Sequence, residues 1–252
     1  MVHPAGKVWS AGNYREVAIV SRKLRALFGM AVSFSAICLA ATASVEAATL
    51  TARGNEPGWQ IELSDEAITF HTLEGKILTI EPAPQPTREN GIDIYSATAD
   101  GGQFTLAVAD EACTDTMTGM PYPKSATVTV DGRKFSGCAG EPASLLHGDW
   151  LVKRIAGKDL VAKSEPTLSF GPDGSIHGNG SCNRVFGSFA LTGEELRISE
   201  TGASMMMCDQ PLMDQEREFL GALEAVRRFE VLPTRQVRLL GKDGQALLDL
   251  GK

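Results

Sequence analysis

The 252-residue chain is 43% hydrophobic and 22% charged, ordinary values for a folded protein with a buried core and room for one or two domains. Its formal charge is −7, but residues 1–47 hold five basic and two acidic residues, leaving 19 basic against 29 acidic, or −10, for the remainder. An acidic body repels phosphate backbones and anionic lipid surfaces, which argues against nucleic acid as a partner.

The first segment reads as a targeting signal. Arg22, Lys23 and Arg25 form a positive region, Ala26 to Ala43 is an apolar run, and Val45-Glu46-Ala47 before Ala48 is a small-residue cleavage site. Residues 1–47 are therefore expected to be a signal peptide cleaved near Ala47, with residues 1–21 an extended leader or translation starting at Met30. Retention as a membrane anchor is the alternative, although the Ala, Ser and Thr content makes the run a poor stop. Cys38 follows Ile37, not a small residue, which disfavours lipidation. The mature chain then carries no membrane span.

From Ala48 to about Gly140 the pattern is that of short strands. Gly58 to Leu63, Ala67 to Phe70, Lys76 to Ile80, Ile92 to Ala97 and Gln103 to Val108 alternate apolar and polar residues. Pro82, Pro84 and Pro86 interrupt the series, and Asp131-Gly132 marks a hairpin between Ala126–Val130 and Lys134–Phe135. No helical period of useful length appears, so residues 48–140 are expected to form a small all-β barrel or sandwich. Residues 141–148 form a linker in which Leu145 and Leu146 suggest docking.

Residues 149–252 are expected to be a second domain, α+β, with one antiparallel sheet and one packed helix. Strands are expected at Trp150 to Val152, Thr167 to Phe170, Ser175 to His177, Val185 to Leu191, Glu195 to Ser199, Val231-Leu232, Val237 to Leu240 and Ala246 to Leu250. The spacing predicts a helix from Pro211 to about Arg228. Leu212, Phe219, Leu220, Leu223 and Val226 would fall on its apolar face, with Asp214, Glu218, Glu224 and Arg228 away from it. Pro211 suits the first turn, and Arg227 and Arg228 suit the carbonyl end.

Four cysteines remain after cleavage, as two pairs with similar spacing. In an oxidising compartment they are expected to join Cys113 to Cys138 and Cys182 to Cys208, one of three connectivities open to four cysteines. Each bridge would be worth about 3–4 kcal/mol in the chain-entropy view. A Cys/His metal site using His177 is the alternative, without CxxC spacing to support it.

Trp150-Leu151, Pro166 to Phe170, Gly174, Gly178, Ser181-Cys182-Asn183, Phe186-Gly187, Thr201, Met207-Cys208 and Glu216 with Phe219 resemble the META domain of the HslJ heat-shock family, over residues 148–252. The resemblance implies an antiparallel sheet with a helix, a bacterial envelope location, links to stress, and no assigned enzymatic activity. The first half, through Gly54 to Trp59 and Cys113 to Pro123, looks like an uncharacterised bacterial envelope-protein family found beside META domains. It departs from that family's pattern at Thr118, where serine is more usual before the glycine.

No catalytic constellation emerges. His71, His147 and His177 are scattered, and there is no GxSxG, P-loop or HExxH. Asp110-Glu111 and Glu194-Glu195 sit at turns and read as solvated acids. Met205-Met206-Met207 with Met213 could bind copper(I), but methionines beside a disulfide and a helix start are expected to fill core gaps. Asn179-Gly180-Ser181 reads as a tight turn, and Asn183 as a residue that hydrogen-bonds its own loop. Binding loops, if any, would present Met117, Gly119, Tyr122, Asn183, Met206 and Met207. The expected function is a non-enzymatic secreted or periplasmic module, without cofactor or metal, that binds an envelope protein, peptide or glycan during stress. The alternative is an inhibitor of a lysozyme-like enzyme: the first domain with its Thr118-to-Tyr122 loop is similar to periplasmic lysozyme inhibitors of the MliC type, and an acidic chain suits a cationic target.

Overall fold

The computed structural model describes residues 50–99 and 101–252; the expected signal peptide lies outside the described residues. The first half holds eleven strands: β1 (Leu50–Asn55), β2 (Gly58–Leu63), β3 (Ile68–Thr72), β4 (Ile77–Ile80), β5 (Thr87–Glu89), β6 (Ile92–Ala99), β7 (Gly102–Ala109), β8 (Cys113–Thr114), β9 (Pro121–Tyr122), β10 (Lys124–Val130) and β11 (Arg133–Ala139). Nine of them form an antiparallel sheet in the order β4-β3-β2-β1-β11-β10-β7-β6-β5, with β8 and β9 a separate two-stranded pair. The sheet curls so that β4 comes against β6. Alternation explains the curl. Every second residue of β2, β7 and β10 (Ile61, Leu106 and Val128 among them) is buried on the concave face, where Trp59, Phe70, Phe104 and Phe135 complete one core. The least legible strand was β1, LTARGN, which joins the two halves of the sheet by pairing with both β2 and β11.

The second half continues with β12 (Gly148–Ile155), β13 (Thr167–Phe170), β14 (Ser175–Asn179), β15 (Arg184–Leu191), β16 (Leu196–Ala203), the helix α1 (Gln210–Ala225), β17 (Arg228–Val231), β18 (Val237–Leu240) and β19 (Ala246–Gly251). The eight strands form an antiparallel sheet in the order β16-β15-β14-β13-β12-β19-β18-β17. Both expected architectures are therefore present: a curled all-β sheet and an antiparallel sheet with one helix on it. Phe219 and Leu223 of α1 are fully buried against β12, β16 and β19, beside Trp150, Leu168, Phe170, Leu196 and Leu239.

Two details of the helix differ from the expectation. It ends at Ala225, because Val226 is already extended and the Arg227 amide donates to the Leu240 carbonyl while its own carbonyl accepts from Leu196. Arg227 nevertheless serves the carbonyl end, its guanidinium donating to the oxygens of Glu224 (2.9 Å) and Val226 (2.5 Å), whereas Arg228 begins β17. The buried face is also more polar than periodicity suggests. Gln215 and Glu216 are buried, while Leu212 and Leu220 are only half-covered.

The segment between the two sheets packs tightly. Pro142–Leu145 forms one 3-10 turn, Leu146 is fully buried in the second core, and its carbonyl accepts the Trp150 indole N–H at 2.6 Å. Met120, Tyr122 and Cys138, from the first half of the chain, also sit in that second core.

Candidate functional site

Both cysteine pairs are bridged as expected: Cys113 to Cys138 and Cys182 to Cys208. Disulfides fit an extracytoplasmic protein. Among the described residues no helix is long and apolar enough to cross a membrane.

The first bridge anchors a loop organised by Asp115. Its Oδ1 accepts from the backbone amides of Met117 (3.0 Å) and Thr118 (2.8 Å) and from the Thr118 hydroxyl (2.9 Å), and its Oδ2 accepts from the Asn55 amide (3.0 Å). Burial pushes this carboxyl up, yet the donors from Thr118, Asn55 and Met117 together hold it below the ordinary aspartate value. Gly119 turns the chain at φ +75°, with space around it, and its amide closes onto the Asp115 carbonyl. The loop is thereby split. Met117 is 77% exposed at the tip, while Met120 and Tyr122 point inward and are buried. Tyr122, expected on a binding surface, is a core residue, because its ring is needed to fill the second hydrophobic cluster.

Met117 stands between two depressions. One, of about 370 Å³, is lined by Arg53, Trp59, Gln60, His71 and the 88%-exposed Leu73. The other, of about 410 Å³, is lined by Thr118, Glu194, Glu195, Arg227, Arg228 and Lys242. Glu195 is ion-paired with Arg197 (2.8 Å). Of the other sequence-marked groups, Asp110 is ion-paired with Lys124 and Arg88, which hold its carboxyl below the usual range. His147 lies edge-on to Phe189, and His177 is exposed on β14. The three histidines are not brought together. Among the described residues no group of three or more His, Cys, Asp or Glu side chains could hold a metal.

The second bridge sits in a polar knot. Asn183 and Glu216 are both buried, and the Glu216 carboxylate accepts the amides of Cys182 (3.1 Å) and Asn183 (2.6 Å) on Oε2 and the Asn183 side-chain amide (2.8 Å) on Oε1. Asn183 in turn accepts from the Met206 amide (2.6 Å) and the Ser204 hydroxyl (2.9 Å) and donates to the Met206 carbonyl (3.4 Å). A Cβ at Gly180 would lie 2.8 Å from Glu216 Cγ, so glycine is what lets the helix carboxylate approach the loop. Ser181 donates its amide to Asn179 Oδ1 (2.7 Å), the tight turn expected at Asn179-Gly180-Ser181. Gln215, the neighbouring buried amide, accepts from the Val161 amide and donates to the Ser164 and Ser181 hydroxyls, all at 2.6 Å. Asn183 thus bonds its own loop and is not surface-presented.

The methionines correct an expectation. Met205, Met206 and Met207 do not fill core gaps; they are 97%, 60% and 89% exposed. Val185 and Phe219 enter the second core, whereas Asn183 pins the Met206 backbone to its own loop and none of the three methionines joins that core. Sequence reading marked Glu216 within a motif but did not find its role, since a charged residue one position off the apolar stripe looks solvated.

Among curated proteins none matches this chain. Two solved structures are similar over 44% of it. One is an NMR structure of a protein from Burkholderia xenovorans, 25% identical, 86% of that chain covered, TM-score 0.37. The other is a second NMR structure, also 25% identical, 93% covered, TM-score 0.36. A family model matches residues 143–252, beginning within the 3-10 turn whose successor Leu146 enters the second core. That model is the META domain, and the residues it matches are built around the Asn183–Glu216 knot and the Cys182–Cys208 bridge.

Proposed function

We propose that this protein is a non-enzymatic module of the bacterial envelope, exported by cleavage near Ala47, that binds a partner protein, peptide or glycan during stress. The carrying observation is Met117. It is exposed at the tip of a disulfide-anchored loop, on the common edge of one depression containing exposed Leu73 and another containing Arg227, Arg228, Glu194 and Glu195. An apolar stretch running into a charged one suits an extended partner with alternating character. Asp115 holds the loop in place, which lowers the ordering cost of binding.

The test is retention of envelope components on the immobilised mature chain, compared with the Leu73→Asp/Met117→Asp variant. A component held by the wild type and lost from the variant supports the reading; identical retention profiles refute it. The lysozyme-inhibitor alternative keeps only the Met117–Gly119 tip as an inserting element, since Met120 and Tyr122 are buried. A lysozyme activity assay with the mature chain separates the two readings.

A further inference from the structure

The exposed Met205-Met206-Met207 loop takes no part in the Met117 surface. Single exposed apolar residues need no explanation, but three in succession do. The segment is not loose. Asn183 accepts from the Met206 amide and donates to the Met206 carbonyl, so one side-chain amide partners both backbone groups of one residue, as a neighbouring strand would. A residue whose N–H and C=O face the same partner is extended. Cys208 fixes the loop at one end through its bridge to Cys182, and Ser204 fixes the other, its amide donating to the Arg184 carbonyl (3.0 Å).

In extended chain, residues two apart project to the same side, their Cα atoms about 6.6 Å apart. Flanking the clamped Met206, Met205 and Met207 meet that condition, and an unbranched thioether side chain is long and adaptable enough for two sulfurs to reach one ion. Ser204 to Cys208 contains no ionisable side chain except the bridged cysteine, so no carboxylate or imidazole of the loop competes as a donor. Thioethers select soft monovalent ions over zinc or magnesium. The −10 charge of residues 48–252 favours a cation.

We propose that Met205 and Met207 form a surface chelate for a soft monovalent cation, copper(I) or silver(I), held in register by the Asn183 clamp. Met206, the clamped residue between them, projects to the opposite side and is not a ligand. The site is independent of the partner-binding surface at Met117, so either can fail without the other.

The test uses the disulfide-intact mature chain. Silver(I) is titrated in chloride-free buffer while methionine methyl groups are followed by carbon–proton NMR, and copper(I) is offered in competition with bicinchoninate. One equivalent should bind and shift the Met205 and Met207 methyls, leaving buried Met120 and exposed Met117 in place. Met205→Leu/Met207→Leu should weaken binding at least tenfold, Met117→Leu should not, and zinc(II) should not compete. Both substitutions lie at exposed positions and conserve volume, so folding is preserved. Three results would overturn the proposal: no binding against the competitor, equal binding by the double variant, or methyl shifts at Met117 equal to those at Met205 and Met207.

Discussion

Replacing Glu216 by alanine should destabilise this protein more than its place on the edge of an apolar helix stripe suggests. The carboxylate is buried and accepts three hydrogen bonds, two from backbone amides and one from Asn183. Alanine leaves the Cys182 and Asn183 amides without an acceptor inside the protein. A hydrogen bond to a charged group contributes about 1.5–3 kcal/mol, and an orphaned buried donor costs about 1–3 kcal/mol. The losses overlap, because a relaxed loop admits some water, so about 3–5 kcal/mol is expected for Glu216→Ala. Glu216→Gln can turn its single oxygen toward the two backbone amides, but its NH2 then faces the Asn183 NH2, donor against donor. That variant should lose about 1–2 kcal/mol. Denaturant melts at neutral pH with both disulfides intact measure the differences, and the spacing between the variants matters as much as either value. Glu216→Ala within about 0.5 kcal/mol of wild type would refute the reasoning, since an ordinary surface substitution falls in that range.

Phe219→Ala, at a fully buried site, should cost about 3–5 kcal/mol, whereas Glu218→Ala, which removes only an exposed pair with Lys158, should cost no more than about 0.5 kcal/mol; equal denaturation midpoints would contradict the helix packing. Asp115→Ala should cost about 2 kcal/mol and loosen the Met117 tip, seen as faster amide exchange at Met117 and Thr118. Because the Asp115 carboxyl titrates below its unfolded value of about 3.9, its contribution is present above that pH and is lost as pH falls through the lower folded value. Thermal melts from about pH 5 to pH 2 should therefore fall less steeply for Asp115→Asn than for wild type. For the two halves folding separately, residues 143–252 expressed alone should melt cooperatively. Residues 148–252, lacking fully buried Leu146, should be less stable by about 2–4 kcal/mol, and equal stability would show that Leu146 is dispensable.

Period-two alternation with turn residues located nearly all the long strands, because half-buried antiparallel strands write burial into every second position. Asp131-Gly132 marked its hairpin, since only residues tolerant of positive φ fit that turn, and both residues adopt it (φ +52° and +79°). The even cysteine spacing gave the bridge partners. β1 was less legible because its buried positions, Ala52 and Gly54, are too small to give a hydrophobic signal, and its place is set by pairing with β11, more than eighty residues away in sequence. The end of α1 was misread for a similar reason: a backbone bond from Arg227 to Leu240 outweighs local helix preference. Side-chain direction was the part that only the tertiary structure decided. Met120 and Met117 lie in one loop, yet one is core and the other surface; Glu216 and Glu218 are two positions apart on one helix, yet one is buried and the other exposed. Composition treats each pair alike. The difference arises where a distant group, Asn183 for Glu216 and the second core for Met120, supplies the hydrogen bonds or the apolar contacts that make burial favourable.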